Sequence, residues 1–169
     1  MNSDLLRTIT PDEVGTYHRD GVLLLSGMFE KDWIEILNKG LDANCKSPTE
    51  RSRIWNKDAL GRTMLYDTLA WRDIEEYKKF IFNSPAAQIC GQLMNAKTIN
   101  FFFDAIFVRS PGTKFESPWH QDEPYWSIEG YDACTLWMPL VPVKQKNCLS
   151  FVPVHTVLNL FLISTILVI

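Results

Sequence analysis

Thr113–Pro142 reads TKFESPWHQDEPYWSIEGYDACTLWMPLVP, and the fold turns on how its centre, His120-Gln121-Asp122, is held. In an extended segment successive side chains alternate, so positions 120 and 122 turn to the same side. An imidazole and a carboxylate then converge on one point. That is two-thirds of the two-histidine, one-carboxylate set that holds non-haem Fe(II) and leaves positions open for a co-substrate and O2. Read alone, an H-x-D triplet also describes a loop histidine beside a solvated aspartate, so its surroundings must decide. Pro118 and Pro124 restrict the backbone on either side. Tyr125 and Trp126 follow directly, as residues that either enclose an apolar substrate or serve ordinary packing.

Length and composition bound the answer. The 169 residues suit one domain, 1–169, with a core of ordinary size. Aromatics make up 12% of the chain, which suits packed sheets around a lined pocket. Seventeen basic and twenty acidic side chains leave a net charge of −3 without any block of one sign, so neither nucleic acid nor an anionic membrane is expected as a partner. Cys45, Cys90, Cys134 and Cys148 are scattered with no C-x-x-C pair. That predicts buried reduced thiols, and so a soluble protein of the cytoplasm, rather than a disulfide framework or zinc site. The opening MNSDLLRTIT lacks a basic segment followed by an apolar run, so no secretory leader is expected.

The N-terminal half reads as helical. Thr10, Pro11 and Glu13 form a capping-box signal for a first helix, and Gly21 stops it. His18, beside Arg19 and Asp20, is a helix-end residue. Val22 to Leu25 reads as a short strand. Trp33, Ile34, Leu37 and Leu41 give one apolar face to a second helix over 31–44. Residues 46–63 are polar and irregular, and predict a loop or cover. Trp55, Tyr66 and Trp71 either pack or line a substrate entrance. Third and fourth helices are expected over 73–82 and from Ser84-Pro85 to about 95. From residue 98 the composition turns to β-branched and aromatic residues, predicting strands over 99–108, 133–143 and 148–153. Arg109 ends the first of these before a Pro111-Gly112 turn. Its planar fork suits a co-substrate carboxylate, with a surface ion pair as the alternative. Thr135 and Trp137 share a face of the second strand by alternation.

Taken together, FFFDAIFVRSPGTKFESPWHQDEPYW, GYDACTLWMPLVPV and CLSFVP, with DGVLLLSGMF near residue 20, resemble the phytanoyl-CoA dioxygenase (PhyH-like) family over about residues 8–153. The resemblance implies an α+β chain with N-terminal helices on a double-stranded β-helix, or jelly-roll, core. It implies an Fe(II)/2-oxoglutarate-dependent dioxygenase that hydroxylates a small organic molecule with O2. It implies His120 and Asp122 as iron ligands and Trp137 against bound 2-oxoglutarate. Thr135 stands beside it, and Arg109 is a further candidate for the co-substrate. Halogenases of this group replace the carboxylate ligand with a small residue, so Asp122 favours hydroxylation.

The departures lie at 154–169. The family continues with further strands carrying a distal histidine ligand and an arginine for the far carboxylate of 2-oxoglutarate. This chain reads VHTVLNLFLISTILVI, with His155 as its only histidine beyond Asp122 and no arginine. His155 comes too early in the family pattern to be the distal ligand. The sequence therefore predicts incomplete C-terminal strands, and the absence of both residues puts the activity of the oxygenase in question. The apolar tail is shorter than the roughly 20 residues a membrane helix needs. It reads as a strand patching the open sheet, as an aggregation-prone end, or as text from another frame or splice form, and the abrupt loss of resemblance at Val154 favours the last. The alternative function is a non-catalytic jelly-roll fragment that binds a small molecule or partner chain. Zinc hydrolysis through His120, Asp122 and Glu123 is disfavoured, because catalytic zinc usually takes three protein ligands including more than one imidazole.

Overall fold

Pro11–Asp20 forms α1, and its ends are closed by the residues the sequence marks for that purpose. The Thr10 hydroxyl accepts from the Glu13 N–H at 3.2 Å, while the Glu13 carboxylate accepts from the Thr10 N–H at 2.8 Å. Arg7 adds a fork of two bonds to Glu13, at 2.8 and 2.9 Å. These bonds, Arg7 first, hold the Glu13 carboxyl down at about 2. At the other end Gly21 takes φ 73° and returns its N–H to the Tyr17 carbonyl at 2.9 Å.

The structure is a computed structural model and describes residues 1–55, 57–113, 116–127, 132–152 and 165–168. The chain divides into two compact units. The first comprises Met1–Lys31, Ser84–Ile99 and His120–Ile169, and the second Asp32–Asn83 and Asn100–Trp119. In the first unit β1 (Val22–Leu24), β5 (Cys134–Trp137) and β6 (Thr165–Val168) form a parallel sheet in the order β1-β6-β5. Tyr17, Leu23, Leu25, Met28, Ile89 and Leu93 form its core, with Cys134 and Leu136 packed against it. Ile89 and Leu93 come from α4 (Ala86–Leu93). The Ser84 hydroxyl accepts the Ala86 N–H at 3.3 Å, and Asn95 at φ 50° lies just beyond the helix end. β6 agrees with the reading of the tail as a strand that fills the sheet, whereas 153–164 and 169 lie outside the described residues.

The second unit holds α2 (Lys31–Lys46, entering it at Asp32), α3 (Glu75–Asn83) and an antiparallel sheet of order β2-β3-β4. Its strands are Arg53–Trp55, Met64–Thr68 and Ala105–Arg109. Trp33, Leu37, Gly40 and Asn44 are the buried stripe of α2, spaced four, three and four apart. Gly40 is there because α3 comes close. A Cβ at that position would lie 2.9 Å from a Tyr77 ring carbon and 3.0 Å from the Glu76 Cβ.

Asp67 of β3 is fully buried and ties the unit together. Its carboxylate accepts from the Asn44 amide at 2.7 Å, the Thr49 N–H at 2.9 Å and the Thr49 hydroxyl at 2.6 Å. Burial pushes this carboxyl up, but the bonds from Thr49, Asn44 and Thr68 outweigh it and hold Asp67 below its ordinary value. Arg51 spans the same corner. It donates to the Thr68 and Leu69 carbonyls at 2.9 and 3.2 Å and pairs with Asp73.

Several expected boundaries move. The polar stretch 46–63 contains β2, an exposed edge strand whose Arg-Ile-Trp shows no buried face from which to recognise it. The strand expected over 99–108 begins only at Ala105. Phe101 turns into an edge-to-face cluster with Trp71 and Phe82, and the Asp104 carboxylate accepts the Trp71 N–H at 3.1 Å. The strand expected over 133–143 ends at Trp137, because Pro139 supplies no N–H and restricts the residue before it. No strand lies in 148–152, where the Cys148 N–H closes a turn on the Gln145 carbonyl at 3.4 Å. The fold is thus a mixed α/β arrangement with a small antiparallel sheet, and the described residues do not make up a complete jelly roll. The four thiols are free, but Cys45 and Cys148 are exposed, so burial holds only for Cys90 and in part for Cys134.

Asp67→Ala is expected to lower stability by about 2–4 kcal/mol at neutral pH, since it strands buried donors of Asn44 and Thr49. Because the folded carboxyl is depressed, that stabilisation is present above the unfolded value near 3.9 and fades as pH falls through the folded one. Denaturant midpoints of wild type and variant should therefore converge at acid pH. Gly40→Ala is expected to cost about 1–3 kcal/mol by overpacking against Tyr77, visible as a lowered Tm.

Candidate metal and co-substrate site

The H-x-D segment brings its two side chains together by a turn rather than by strand alternation. Residues 116–122 pair with no strand, and a short 3-10 turn, Glu123–Tyr125, follows at once. The Tyr125 N–H donates to the Asp122 carbonyl at 3.0 Å, which fixes the corner after the aspartate. His120 Nε2 lies 3.2 Å from Asp122 Oδ1. The segment is a loop between two prolines, as expected, and the imidazole and carboxylate converge in it.

That spacing suits one metal ion. Two donors at about 2.1 Å from a cation and at right angles to each other lie on the order of 3 Å apart. Both side chains are solvent-accessible, His120 at 46% and Asp122 at 33%, so an ion can reach them without rearrangement of the core. The exposure also means that the pair is not needed for packing. Trp119 and Tyr125 on either side are more exposed still, at 73% and 77%, so neither packs away and Tyr125 does not enclose the pair.

The remaining donors are less complete. Among the described residues no group of three or more His, Cys, Asp or Glu is placed to hold a metal. His155 lies outside the described residues. Glu123 sits in the 3-10 turn beside the pair.

Thr135 and Trp137 alternate along β5 and share a face; both are half-buried. They belong to the same unit as His120 and Asp122. Arg109 ends β4 in the other unit, is exposed, and donates through Nη2 to the Ser117 hydroxyl at 2.9 Å. The turn after it is as expected, with Gly112 at φ 75° and the Thr113 N–H on the Ser110 carbonyl at 3.2 Å.

Of the aromatic residues singled out for an entrance, Trp55 and Tyr66 stack at 4.9 Å across β2 and β3, and Tyr66 meets Phe107 of β4 at 4.9 Å. Trp71 belongs to the separate cluster with Phe82 and Phe101. Phe107 went unrecognised as a member of this row. The signal available was its place in the 99–108 run, but joining it to Tyr66 needed the cross-strand register. No helix among the described residues is long and apolar enough to cross a membrane.

With His120 exposed and Asp122 half-buried, His120→Ala and Asp122→Ala should each change stability by no more than about 0.5 kcal/mol. Thermal unfolding checks this, and a large loss would mark the pair as structural.

The family model for phytanoyl-CoA dioxygenase (PhyH) matches residues 17–154. No curated protein and no solved structure matches the chain.

Proposed function

The chain belongs to the phytanoyl-CoA dioxygenase family, and from that premise we propose that it is an Fe(II)/2-oxoglutarate-dependent dioxygenase hydroxylating a small organic molecule, with His120 and Asp122 as two of its iron ligands. The observation that carries the reading is the 3.2 Å approach of His120 Nε2 to Asp122 Oδ1 on an accessible turn. The matched span runs through both compact units, which supports treating residues 1–169 as one functional domain.

The donor chemistry fits ferrous iron. A neutral imidazole and a carboxylate are two members of the facial set, and they leave the opposite positions for exchangeable ligands. When bound, iron with 2-oxoglutarate supplies the O2 activation that couples co-substrate decarboxylation to hydroxylation. The chain's own contributions are positional. Pro118, Pro124 and the Tyr125–Asp122 backbone bond hold the loop, so both donors meet the ion without a large ordering cost. Arg109 presents a planar fork suited to a carboxylate of the co-substrate, and the Trp137 ring and Thr135 hydroxyl offer an apolar wall and a hydrogen bond on one face.

A second reading is favoured by one observation, the lack of a three-donor group among the described residues. On that reading the chain is a non-catalytic member that binds a small molecule or another chain.

Anaerobic titration with Fe(II) and 2-oxoglutarate separates the two. The oxygenase reading expects a weak visible charge-transfer band that is lost in His120→Ala and Asp122→Ala. It also expects Arg109→Gln to weaken 2-oxoglutarate about tenfold or more while iron still binds. A protein that takes up neither iron nor 2-oxoglutarate sinks it.

A further inference from the structure

The antiparallel sheet of the second unit carries a row of side chains of which the iron reading uses Arg109 alone. Register places Arg53 opposite Tyr66 and Tyr66 opposite Phe107, while Trp55 and Arg109 both lie opposite Met64. All of these share one face, together with Thr68 and Ala105, and no acidic residue stands among them. Asp67 lies on the other face, where it is bound to Asn44 of α2.

On the shared face three rings form a column across the strands. Trp55 and Tyr66 stack at 27°, Tyr66 and Phe107 tilt at 35°, and each step is 4.9 Å. The two outer rings are 41% and 55% exposed, large apolar surfaces left to solvent at both ends of an ordered stack. Trp55 stacks on Tyr66 and still keeps 41% of its surface exposed, room on which a further ring can lie. Arg53 lies two residues away on the same strand and the same face, about 7 Å along it. Arg53 is exposed, its Nη1 donates to the neighbouring Ser52 carbonyl, and no carboxylate pairs with it among the described residues.

We infer that the Trp55 end of this column, with Arg53, is a binding site for an aromatic carboxylic acid, whose ring continues the stack and whose carboxylate meets the guanidinium. An indole face offers offset stacking to a planar ring, and an arginine fork matches a carboxylate in two parallel bonds. A purely apolar guest would leave Arg53 unused, and a cation would be repelled by both arginines of the face. The binding does not depend on the oxygenase reading above.

Calorimetric titration of the metal-free full chain with naphthalene-2-carboxylate tests it, against naphthalene-2-methanol, decanoate and oligo(dT). The aromatic acid should bind, with the neutral alcohol and the aliphatic acid each about tenfold weaker or more. Arg53→Gln should bring the acid down to the level of the alcohol. Trp55→Leu should weaken it about fivefold to tenfold, and Trp55→Phe less. Arg53 is exposed, so Arg53→Gln should leave Tm unchanged, whereas Trp55→Leu gives up the stack on Tyr66 and should lower Tm slightly, Trp55→Phe less. Absence of binding, binding unaffected by Trp55→Leu or Arg53→Gln, or tighter binding of decanoate or oligo(dT) would each overturn the inference. The Fe(II)/2-oxoglutarate band, measured on the same variants, keeps the two readings apart. Acid binding without the band leaves this site standing and removes the oxygenase, and the band without acid binding does the reverse.

Discussion

A single buried carboxylate organises the second unit. Asp67 sits in the middle of β3 with no exposed surface, and its oxygens are filled by groups from α2 and from the segment that leaves it. An isolated charge at such a depth would be far too costly to keep ionised. Here the donors of Asn44, Thr49 and Thr68 take the place of water, so the charge becomes a tether between helix and sheet. With α2 tied at Asn44 and brought close to α3 at Gly40, Asp67 and its partners lie on one face of the sheet. The aromatic column lies on the other, beside the buried Met64.

Asp104 shows the opposite balance. Burial, the larger effect, pushes its carboxyl above the ordinary range despite the Trp71 N–H on one oxygen, and its other oxygen has no hydrogen-bond partner among the described residues. Two aspartates in one unit thus sit on either side of the usual value, and the difference is the number of donors each finds. Asp104 is a local cap. Its carboxylate and carbonyl receive the Trp71 and Leu69 N–H groups at the start of the 3-10 turn Ala70–Arg72, where Leu69 takes φ 53°.

The His120–Asp122 pair follows a different logic. Its side chains lie toward solvent, His120 more than Asp122. Backbone restriction, through Pro118, Pro124 and the bond from Tyr125 to Asp122, holds the two donors near each other on an accessible turn.

Local signals were legible in the sequence. Thr10, Pro11, Glu13 and Gly21 closed α1 where they stood, because capping involves only residues three or four apart. The spacing of Trp33 and Leu37 marked the inner face of α2, and the order of motifs around W-H-Q-D marked the family. The H-x-D convergence was legible too, though through a turn rather than the alternation that suggested it. What depended on distant partners was decided only by tertiary structure. β2 is a polar edge strand that exists through its pairing with β3, and the run 99–108 lost its first half to the Trp71 cluster and the needs of a backbone N–H. The Trp55–Tyr66–Phe107 row spans three strands far apart in sequence, and a one-residue slip of register would turn each strand's ring to the opposite face. Sequence sets the chemistry each position can offer and the contacts within a helical turn; which distant groups meet is fixed by packing and strand register, which no local pattern encodes.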